Sequence, residues 1–440
     1  MSKQKPREIA VRILQRREQG QSYVEELLEQ ELEPVALSPA DRSLVQELVY
    51  GVVRWQLTLD WLIDRKASGR TQKQMLRILL RLGLYQLFWL DRIPNHAAVH
   101  ETVELAKQLG FGSQAGFVNA LLRSCIRERA ATEQQLQDLQ AAQPALGYSH
   151  PDWLCARWEQ RWGAPKLREL LAWNNTPAKI FARLNALKTD ASKLLELWTG
   201  EGVRFTPFQA GWIEGAVMFQ LDLAASLTSL PSFQQGLFYV QDPSTLLAVQ
   251  ELSPQPDETV LDTCAAPGGK TAFIAQRMQN RGHIVAQDLS PERRQLLAEN
   301  CARLGVTCME TARPSDIMVP ALTRQFDRIL VDAPCSNTGV LRRRLDLRWR
   351  IRVEELSRLQ KTQLELLDQA ALQLTPSGTL VYSTCSLEPE EHRAVVEQFL
   401  ALHPNFHLDR ERELLPFADG VDGTYAARLT KAPDLQPGRS

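Results

Sequence analysis

One stretch, LDTCAAPGGK at residues 261–270, constrains the fold more than any other part of the chain. The run Thr259–Asp262 is β-branched and apolar, which is typical of a buried parallel strand. Small residues follow at Ala265–Gly269, where the backbone can approach a ligand closely, and KTAFIAQRM from Lys270 onwards is typical of a helix. A strand, a glycine turn and a helix N-terminus predict a nucleotide-type binding corner.

The next predicted strand, His283–Ala286, is followed by Asp288, which is placed to bind ribose hydroxyls. The dinucleotide pattern GxGxxG is absent from the glycine turn. A glycine turn with this acid, but without phosphate-binding features, predicts S-adenosylmethionine as the cofactor. An ordinary βαβ turn without a ligand has the same local pattern, so this segment alone leaves both interpretations open.

The composition is that of a soluble globular chain. The 440 residues are 44% hydrophobic and 23% charged, with a formal net charge of −1, and at roughly 150 residues per domain they predict about three domains. The first residues, MSKQKPREIAVRIL, have no apolar core of signal-peptide length, and no run without charges reaches membrane length, so we expect neither a signal peptide nor a membrane span. Seven scattered cysteines predict reduced thiols and a cytoplasmic location. Since the sequence has no CxxC pair and no histidine cluster, we expect no metal site.

Three domains are predicted from the order of the patterns. Residues 1–140 are helical throughout, with a good helix start at Ser38–Asp41 and apolar stripes after it, and predict an all-α bundle. Residues 147–235 predict a small α+β subdomain. Residues 236–440 alternate strands and helices, which predicts an α/β Rossmann-like domain with a doubly wound parallel sheet. A strand at Tyr425–Leu429 is expected to pair antiparallel at the edge of that sheet.

Two cysteines follow neighbouring strands of the predicted sheet. Cys335, in DAPCSNTGV, comes after Phe326–Val331, and Cys385, in STCS, comes after Gly378–Ser383. Because the carboxyl ends of parallel strands meet at one edge, we expect both thiols beside the glycine turn. A metal site, a redox pair and simple burial are other uses of cysteine. A thiol beside S-adenosylmethionine favours methylation of a pyrimidine ring carbon.

The chemistry of that reaction explains why a thiol is needed. Carbon 5 of cytosine is a poor nucleophile, and a thiolate that adds to carbon 6 turns the ring into an enamine, which accepts a methyl group. This is covalent catalysis, and it needs an acid that holds or protonates ring nitrogen 3. Asp332 is placed for that role.

Three motifs, CAAPGGKT, DAPCSNTGV and VYSTCS, resemble the RNA cytosine 5-methyltransferases of the bacterial 16S ribosomal RNA methyltransferase B type. LRLGLYQLFWLDRIPNHAAVHETVELAK resembles their antitermination-factor-like RNA-binding domain, and the middle region resembles their adaptor. The resemblance implies Cys385 as nucleophile and Cys335 in product release. It also implies that Asp288 binds the ribose and that Asp332 lies near cofactor and base. The implied cofactor contacts are Cys264, Ala265, Ala266, Pro267, Gly268, Gly269 and Lys270.

The loop ETARPSD departs from the pattern of that family, which usually has an acid here that contacts the adenine. Counting back from Asp332 without gaps places Arg313 at this position, and Asp316 takes the role if the loop is rearranged. We keep Asp316 as a candidate cofactor contact, and the choice between the two residues stays open.

Basic residues in two places are candidates for RNA contacts. The run LRRRLDLRWRIR at residues 341–352 is the densest in the chain and follows the Cys335 motif, so we expect its arginines to bind phosphates and Trp349 to stack on a base. For Arg183 and Lys188, contact with RNA and a solvated surface role are equally expected.

The sequence therefore predicts S-adenosylmethionine-dependent methylation of carbon 5 of a loop cytosine in 16S ribosomal RNA. We expect a cytoplasmic monomer that uses neither a metal nor a membrane. Four alternatives stay open: another RNA substrate such as tRNA, a DNA cytosine methyltransferase whose nucleophile is Cys335, a non-catalytic ribosome assembly factor, and recruitment of a protein partner by the helical domain.

Overall fold

The computed structural model describes residues 5–20, 22–67, 72–223, 226–313 and 325–433. The chain divides into two compact units. The first contains the chain up to Pro177 together with Leu341–Arg350, and the second contains Ala178–Val340 and the chain from Ile351 onwards. Within the described ranges, none of the helices combines the length and the apolar character needed to cross a bilayer. The boundaries of the three predicted domains stay predictions.

The first unit is helical, as the sequence predicts. One helix begins where expected, since the Ser38 hydroxyl accepts a hydrogen bond from the Asp41 amide at 3.1 Å and caps it. Val45, Leu48 and Val49 of its apolar stripe are fully buried, whereas Leu44 is half-buried. The helices of this unit span Pro6–Gln19, Val24–Leu32, Pro39–Arg54, Gln56–Lys66, Gln74–Trp89, Asn95–Gln108, Ala115–Arg127, Arg129–Ala142, Pro144–Gly147, Asp152–Asn174 and Leu347–Arg350.

The segment Leu341–Arg350 packs in the interior of this helical unit. Arg348 is 0% exposed and donates to the carbonyls of Ser149 at 3.2 Å and Asn174 at 3.1 Å, and to Asn175 Oδ1 at 2.9 Å. A fully buried guanidinium is tolerated because fixed acceptors replace its water.

A buried ion pair holds the same segment. Asp346 is 1% exposed and lies 2.6 Å from Arg17 Nε and 3.0 Å from Arg350 Nε, while the Trp349 indole donates to the Val53 carbonyl at 3.0 Å. The prediction that the basic run binds RNA phosphates is therefore wrong for Arg348, because its hydrogen bonds are made inside the protein.

The second unit begins with a four-stranded antiparallel sheet. Its strands lie in the order β2 (Arg204–Phe208), β3 (Met218–Asp222), β1 (Ile180–Leu184) and β4 (Phe238–Val240). Trp198 fills its core, fully buried against the rings of Phe205, Phe219 and Phe238 at 5.2–5.6 Å. Two helices, Ala191–Gly200 and Pro231–Gln234, belong to the same region.

Neither expectation for Arg183 is correct. Its side chain is 2% exposed, donates to the Gly269 carbonyl at 3.2 Å and lies 4.6 Å above the ring of Phe273. Burial lowers the pKa of this guanidinium to about 9. Lys188 is exposed, and its ammonium group donates to the carbonyls of Gln235 and Arg303 at 2.9 and 2.7 Å. Arg183 thus supports the glycine turn from inside the fold.

A seven-stranded sheet forms the rest of this unit. Its strands lie in the order β10 (Phe406–Leu414), β11 (Thr424–Lys431), β9 (Leu374–Thr384), β8 (Phe326–Asp332), β5 (Thr259–Asp262), β6 (His283–Gln287) and β7 (Met309–Ala312). The five strands from β9 to β7 are parallel, as predicted. The helices of this region are Leu246–Leu252, Gly269–Arg277, Pro291–Arg303, Val353–Gln373, Arg393–Leu402 and Pro416–Asp419.

The strand predicted at Tyr425–Leu429 is β11, and its antiparallel pairing with β9 is confirmed. Its predicted position at the edge is wrong, because β10 pairs along its other side. The residues of β10 read FHLDREREL, and charged residues of this kind are common on edge strands.

We expect Arg348→Ala to lower the free energy of unfolding by about 2–4 kcal/mol, because it leaves buried carbonyls without a donor and opens a cavity. Arg352→Ala is the matched control: Arg352 is exposed, so its loss should change stability by less than about 0.5 kcal/mol. Urea denaturation followed by circular dichroism measures both. Equal stability of the two variants would contradict the buried role of Arg348.

Candidate active site

The strand order creates a crevice at the carboxyl edge of the seven-stranded sheet. From β5 the chain continues to β6 on one side, whereas β8 pairs on the other side. Ligands of open α/β sheets bind at such a switch point. The loop after β5, Asp288 after β6, and the loops after β8 and β9 all leave the sheet at this edge.

The glycine turn is shaped by its packing. Gly268 has φ +102°, a left-handed conformation that favours glycine, and a Cβ atom there would lie 2.9 Å from Leu297. A Cβ atom on Gly269 would lie 2.6 Å from the Tyr239 ring. The Ala265 amide donates to the Gln287 carbonyl at 2.8 Å, which ties the turn to β6. The turn therefore keeps a fixed backbone that packs closely against the side chains of Leu297 and Tyr239.

A buried acceptor lies beneath this turn. Asp262 ends β5 and is fully buried; its Oδ2 accepts from the Thr271 hydroxyl at 2.7 Å, while Oδ1 has no hydrogen-bond partner among the residues that the structure describes. Burial raises the pKa of Asp262 to about 7. Sequence reasoning did not single out this residue, although an acid at the end of the first strand of such a sheet is visible in the motif.

Asp288 lies at the end of β6, as predicted. It is 5% exposed, accepts from the Ser290 amide at 3.2 Å and lies 3.3 Å from the Arg293 guanidinium. Arg313 follows β7 and is exposed, and Asp316 lies outside the described residues.

These residues fit S-adenosylmethionine. The acid after β6 is suited to ribose hydroxyls, and a turn of small residues allows a ligand to approach the backbone. Asp262 Oδ1 is an acceptor without a donor among the described residues, and the cationic ammonium group of the cofactor would be a donor of the right kind. A phosphate-bearing cofactor fits less well, because the Asp288 carboxylate would repel its charge.

Asp332 ends β8 and is held by two neighbours. Lys270 Nζ donates to its Oδ2 at 2.6 Å, and the Ser383 hydroxyl donates to its Oδ1 at 2.7 Å. Burial lowers the pKa of Lys270, but the charge of Asp332 and its hydrogen bond outweigh burial, so the pKa is raised. Lys270 thus stays protonated beside the Asp332 carboxylate.

The structure brings Cys335 and Cys385 together. Their sulfur atoms are 3.4 Å apart, and Cys385 Sγ also lies 2.9 Å from Asn337 Oδ1. Asn337 has φ +55°, and its side-chain Nδ2 donates to the Cys335 carbonyl at 2.7 Å. The hydrogen bond to Cys385 raises the pKa of Cys335 well above its ordinary value, and burial adds to this.

The loops that carry the two thiols are locked to each other. The Gly339 amide donates to the Cys385 carbonyl at 2.9 Å, and the Gly423 amide donates to the Gly339 carbonyl at 2.9 Å. A Cβ atom on Gly339 would lie 2.4 Å from the Gly423 carbonyl oxygen, so only glycine fits. A rigid backbone of this kind preorganises side chains for chemistry.

The other cysteine of the predicted site has a different environment. Burial raises the pKa of Cys264 to about 12, so its thiol stays protonated and unreactive at neutral pH.

Across the described residues, no group of three or more histidine, cysteine, aspartate or glutamate side chains is arranged to hold a metal ion.

Family models match most of the chain. The model described as 16S rRNA methyltransferase RsmB/F matches residues 249–430, and the NusB family model matches residues 4–127. A model for the ferredoxin-like domain of RsmF/B-like methyltransferases matches residues 150–219. The three matches follow the order of the helical region, the four-stranded sheet and the seven-stranded sheet.

Curated relatives match nearly from end to end. The probable ribosomal RNA small subunit methyltransferase B of Bacillus subtilis is 35% identical, covering 98% of this chain and 100% of the relative. The protein of the same name from Synechocystis is 39% identical over 97% and 99% of the two chains. Ribosomal RNA small subunit methyltransferase B of Vibrio vulnificus is 36% identical over 90% and 92%.

Solved structures share the fold. The crystal structure described as PH0851 superposes with a TM-score of 0.77 at 23% identity, covering 97% of this chain and 99% of the other. A methyltransferase homologue from Pyrococcus horikoshii has a TM-score of 0.57 at 29% identity and covers 65% and 97%. The curated relatives, which are 35–39% identical over 90–98% of this chain, show that it belongs to the ribosomal RNA small subunit methyltransferase B family.

Proposed function

We propose that this chain methylates carbon 5 of a cytosine in 16S ribosomal RNA, using S-adenosylmethionine and a covalent adduct on Cys385. The observation that carries the proposal is the pair of sulfur atoms 3.4 Å apart at the switch-point crevice. The family of the chain supports methyl transfer to ribosomal RNA, and the thiol pair supports the ring-carbon chemistry. Another RNA such as tRNA stays the alternative substrate.

The cofactor is proposed to lie along the glycine turn after β5. The contacts would come from the backbone of Cys264–Lys270, from Asp288 at the ribose and from Asp332, with Asp316 retained as a candidate for the adenine. When bound, S-adenosylmethionine supplies an electrophilic methyl group. The fixed backbone of the turn would hold the cofactor beside the thiol loops.

The target ring would meet three groups of this chain. After its thiol proton has left to solvent, Cys385 adds its sulfur to carbon 6, which places electron density on carbon 5 and negative charge toward ring nitrogen 3. The Lys270–Asp332 pair, 2.6 Å apart, holds a proton that it shares with ring nitrogen 3 as that charge develops. After methylation, Cys335 takes the proton from carbon 5, and the electron pair left behind expels Cys385.

The contact between the thiols gives a reason for their different roles. Because its hydrogen bond to Cys385 raises the pKa of Cys335, Cys335 keeps its proton while Cys385 acts as nucleophile. Once Cys385 is bonded to carbon 6, its sulfur is a thioether and the hydrogen bond that raises the pKa of Cys335 is lost. The pKa of Cys335 then falls, its proton leaves to solvent, and the resulting thiolate is the base that the last step needs.

The substrate and its setting follow from the same chemistry. A cytosine stacked in a duplex would have to be flipped out before carbon 6 could meet a thiolate, so a loop nucleotide is the less costly target. We propose that the helical region, which matches the NusB family model, contributes RNA binding. A cytoplasmic monomer with three domains, at residues 1–140, 147–235 and 236–440, stays our working description.

Replacing Cys385 by alanine should reduce methyl transfer to 16S ribosomal RNA by at least about a thousandfold, because the covalent step loses its nucleophile. Replacing Cys335 by alanine should instead trap a covalent protein–RNA adduct. Transfer of a radiolabelled methyl group and a denaturing gel measure the two effects. Cys308→Ala, which removes a thiol outside the crevice, is the control.

The converse pattern would contradict these roles. An adduct that accumulates in the Cys385→Ala protein, together with an inactive Cys335→Ala protein that traps none, would assign the nucleophile to Cys335, as in the DNA cytosine methyltransferase alternative. Wild-type protein that binds S-adenosylmethionine but labels no cytosine would favour the non-catalytic assembly factor.

In the Cys385→Ala protein, alkylation of Cys335 should reach its midpoint at a lower pH than in the wild type. The hydrogen bond that raises the pKa of Cys335 is lost, and the thiolate is the reactive form. Iodoacetamide labelling across a pH series, read by peptide mass spectrometry, gives both midpoints. A Cys264→Ala protein should keep the wild-type midpoint, and an unchanged midpoint in Cys385→Ala would argue against coupled thiols.

Asp288→Asn should weaken binding of S-adenosylmethionine by roughly tenfold or more, because hydrogen bonds from ribose hydroxyls to a charged carboxylate contribute about 1.5–3 kcal/mol. Glu299→Gln, an exposed position on the following helix, should leave the affinity unchanged. Isothermal titration calorimetry measures both dissociation constants. Equal affinities would remove Asp288 from the cofactor site.

A further inference from the structure

A buried carboxylate, Glu391, lies between the loops that carry the two thiols. It is 0% exposed and ends the short helical turn Pro389–Glu391, which follows the Cys385 loop. A carboxylate is stable in the interior only where donors surround it. The donors around Glu391 therefore show which parts of the fold this side chain holds together.

On one side, Glu391 binds the residue after Cys335. The backbone amide of Ser336 donates to Oε1 at 2.9 Å, and the Ser336 hydroxyl donates to Oε2. Because a backbone amide is part of the main chain, this bond fixes the path of the loop as well as one side chain. It therefore restricts where the Cys335 sulfur can lie.

On the other side, Glu391 binds the residue after Cys385. The Ser386 hydroxyl donates to Oε2 at 2.6 Å and accepts from the Glu388 amide at 2.9 Å. The Tyr382 hydroxyl, on β9, donates to the Glu391 carbonyl at 2.8 Å. Each thiol is thus one residue from a serine that binds the same carboxylate.

A third element fixes the carboxylate itself. Gln363, on the helix Val353–Gln373, donates from Nε2 to Glu391 Oε1 at 3.0 Å and to the Pro334 carbonyl at 3.0 Å. Burial raises the pKa of Glu391, and the hydrogen bonds from Ser336 and Ser386 oppose that rise. Hydrogen bonds from both loops therefore stabilise the charge of Glu391, and the same hydrogen bonds fix the position of both loops.

We propose that Glu391 is a positioning residue that holds the Cys335 and Cys385 sulfurs within reach of each other. Its importance for methyl transfer rests on the function proposed above. Its effect on the spacing of the two sulfurs is a separate property, which needs no substrate and no cofactor to be measured.

The test measures how fast one reagent bridges the two thiols. Dibromobimane becomes fluorescent when both of its arms have alkylated sulfur, so its bridging rate reports how often Cys335 and Cys385 lie side by side. The Cys335→Ala and Cys385→Ala proteins give the background from other thiols. We expect the Glu391→Ala protein to bridge at least about tenfold more slowly than the wild type, because buried donors of both loops lose their acceptor.

Two further variants make the result specific. Glu390→Ala removes the neighbouring acid and should keep the wild-type rate. Glu391→Gln preserves the shape of the side chain but replaces one acceptor oxygen with a donor, so bridging should slow by at least about threefold. If Glu391→Ala is unstable in thermal unfolding, the Glu391→Gln protein supplies the decisive rate. A folded Glu391→Gln protein that bridges at the wild-type rate would overturn the proposal.

Activity distinguishes this proposal from the proposed function. We expect the Glu391→Gln protein to lose kcat for methyl transfer at least about tenfold, with KM for RNA and affinity for S-adenosylmethionine nearly unchanged. Slow bridging in Glu391→Gln with an inactive wild type would sustain the positioning role and reject the enzyme. Normal bridging with an active wild type would reject only the role of Glu391.

Discussion

The parallel pairing of β8 with β9 is the constraint on which the site depends. Asp332 lies opposite Ser383 in this pairing, so the loops that follow the two strands start at the same level of the sheet. Cys335 and Cys385 come shortly afterwards, and their sulfurs meet at 3.4 Å. A slip of one residue in the pairing would turn side chains to the opposite face and would separate the two thiols.

The same pairing links the acid to the thiols. The Ser383 hydroxyl binds Asp332 across the two strands, and Lys270, from the turn after β5, binds its other oxygen. Asp332, which is proposed to act at ring nitrogen 3, and the turn that is proposed to bind the cofactor are therefore parts of one hydrogen-bond network. By contrast, burial raises the pKa of Cys264 to about 12, which leaves a thiol in the same crevice without nucleophilic character.

Sequence patterns predict the parts of this arrangement that follow from chain direction. The apolar strands and the rule for parallel sheets suffice to bring Cys335 and Cys385 to one edge. The burial of Arg183 and Arg348 was not predictable, because basic residues usually face water and their acceptors come from distant parts of the chain. The contacts of Glu391 also depend on tertiary packing, and PEEH beside STCS gives no sign of which acid points inward. The inner position of β11 was missed because β10 is rich in charge.

Mapping the covalent attachment point tests the central claim most directly. 16S ribosomal RNA transcribed with 5-fluorocytidine lacks the proton that must leave carbon 5, so methylated substrate should stay bonded to the protein. Digestion and mass spectrometry then identify the modified cysteine. The account predicts a methylated fluorocytidine on the peptide that contains Cys385. Attachment to Cys335, or methylated RNA free of protein, would contradict it.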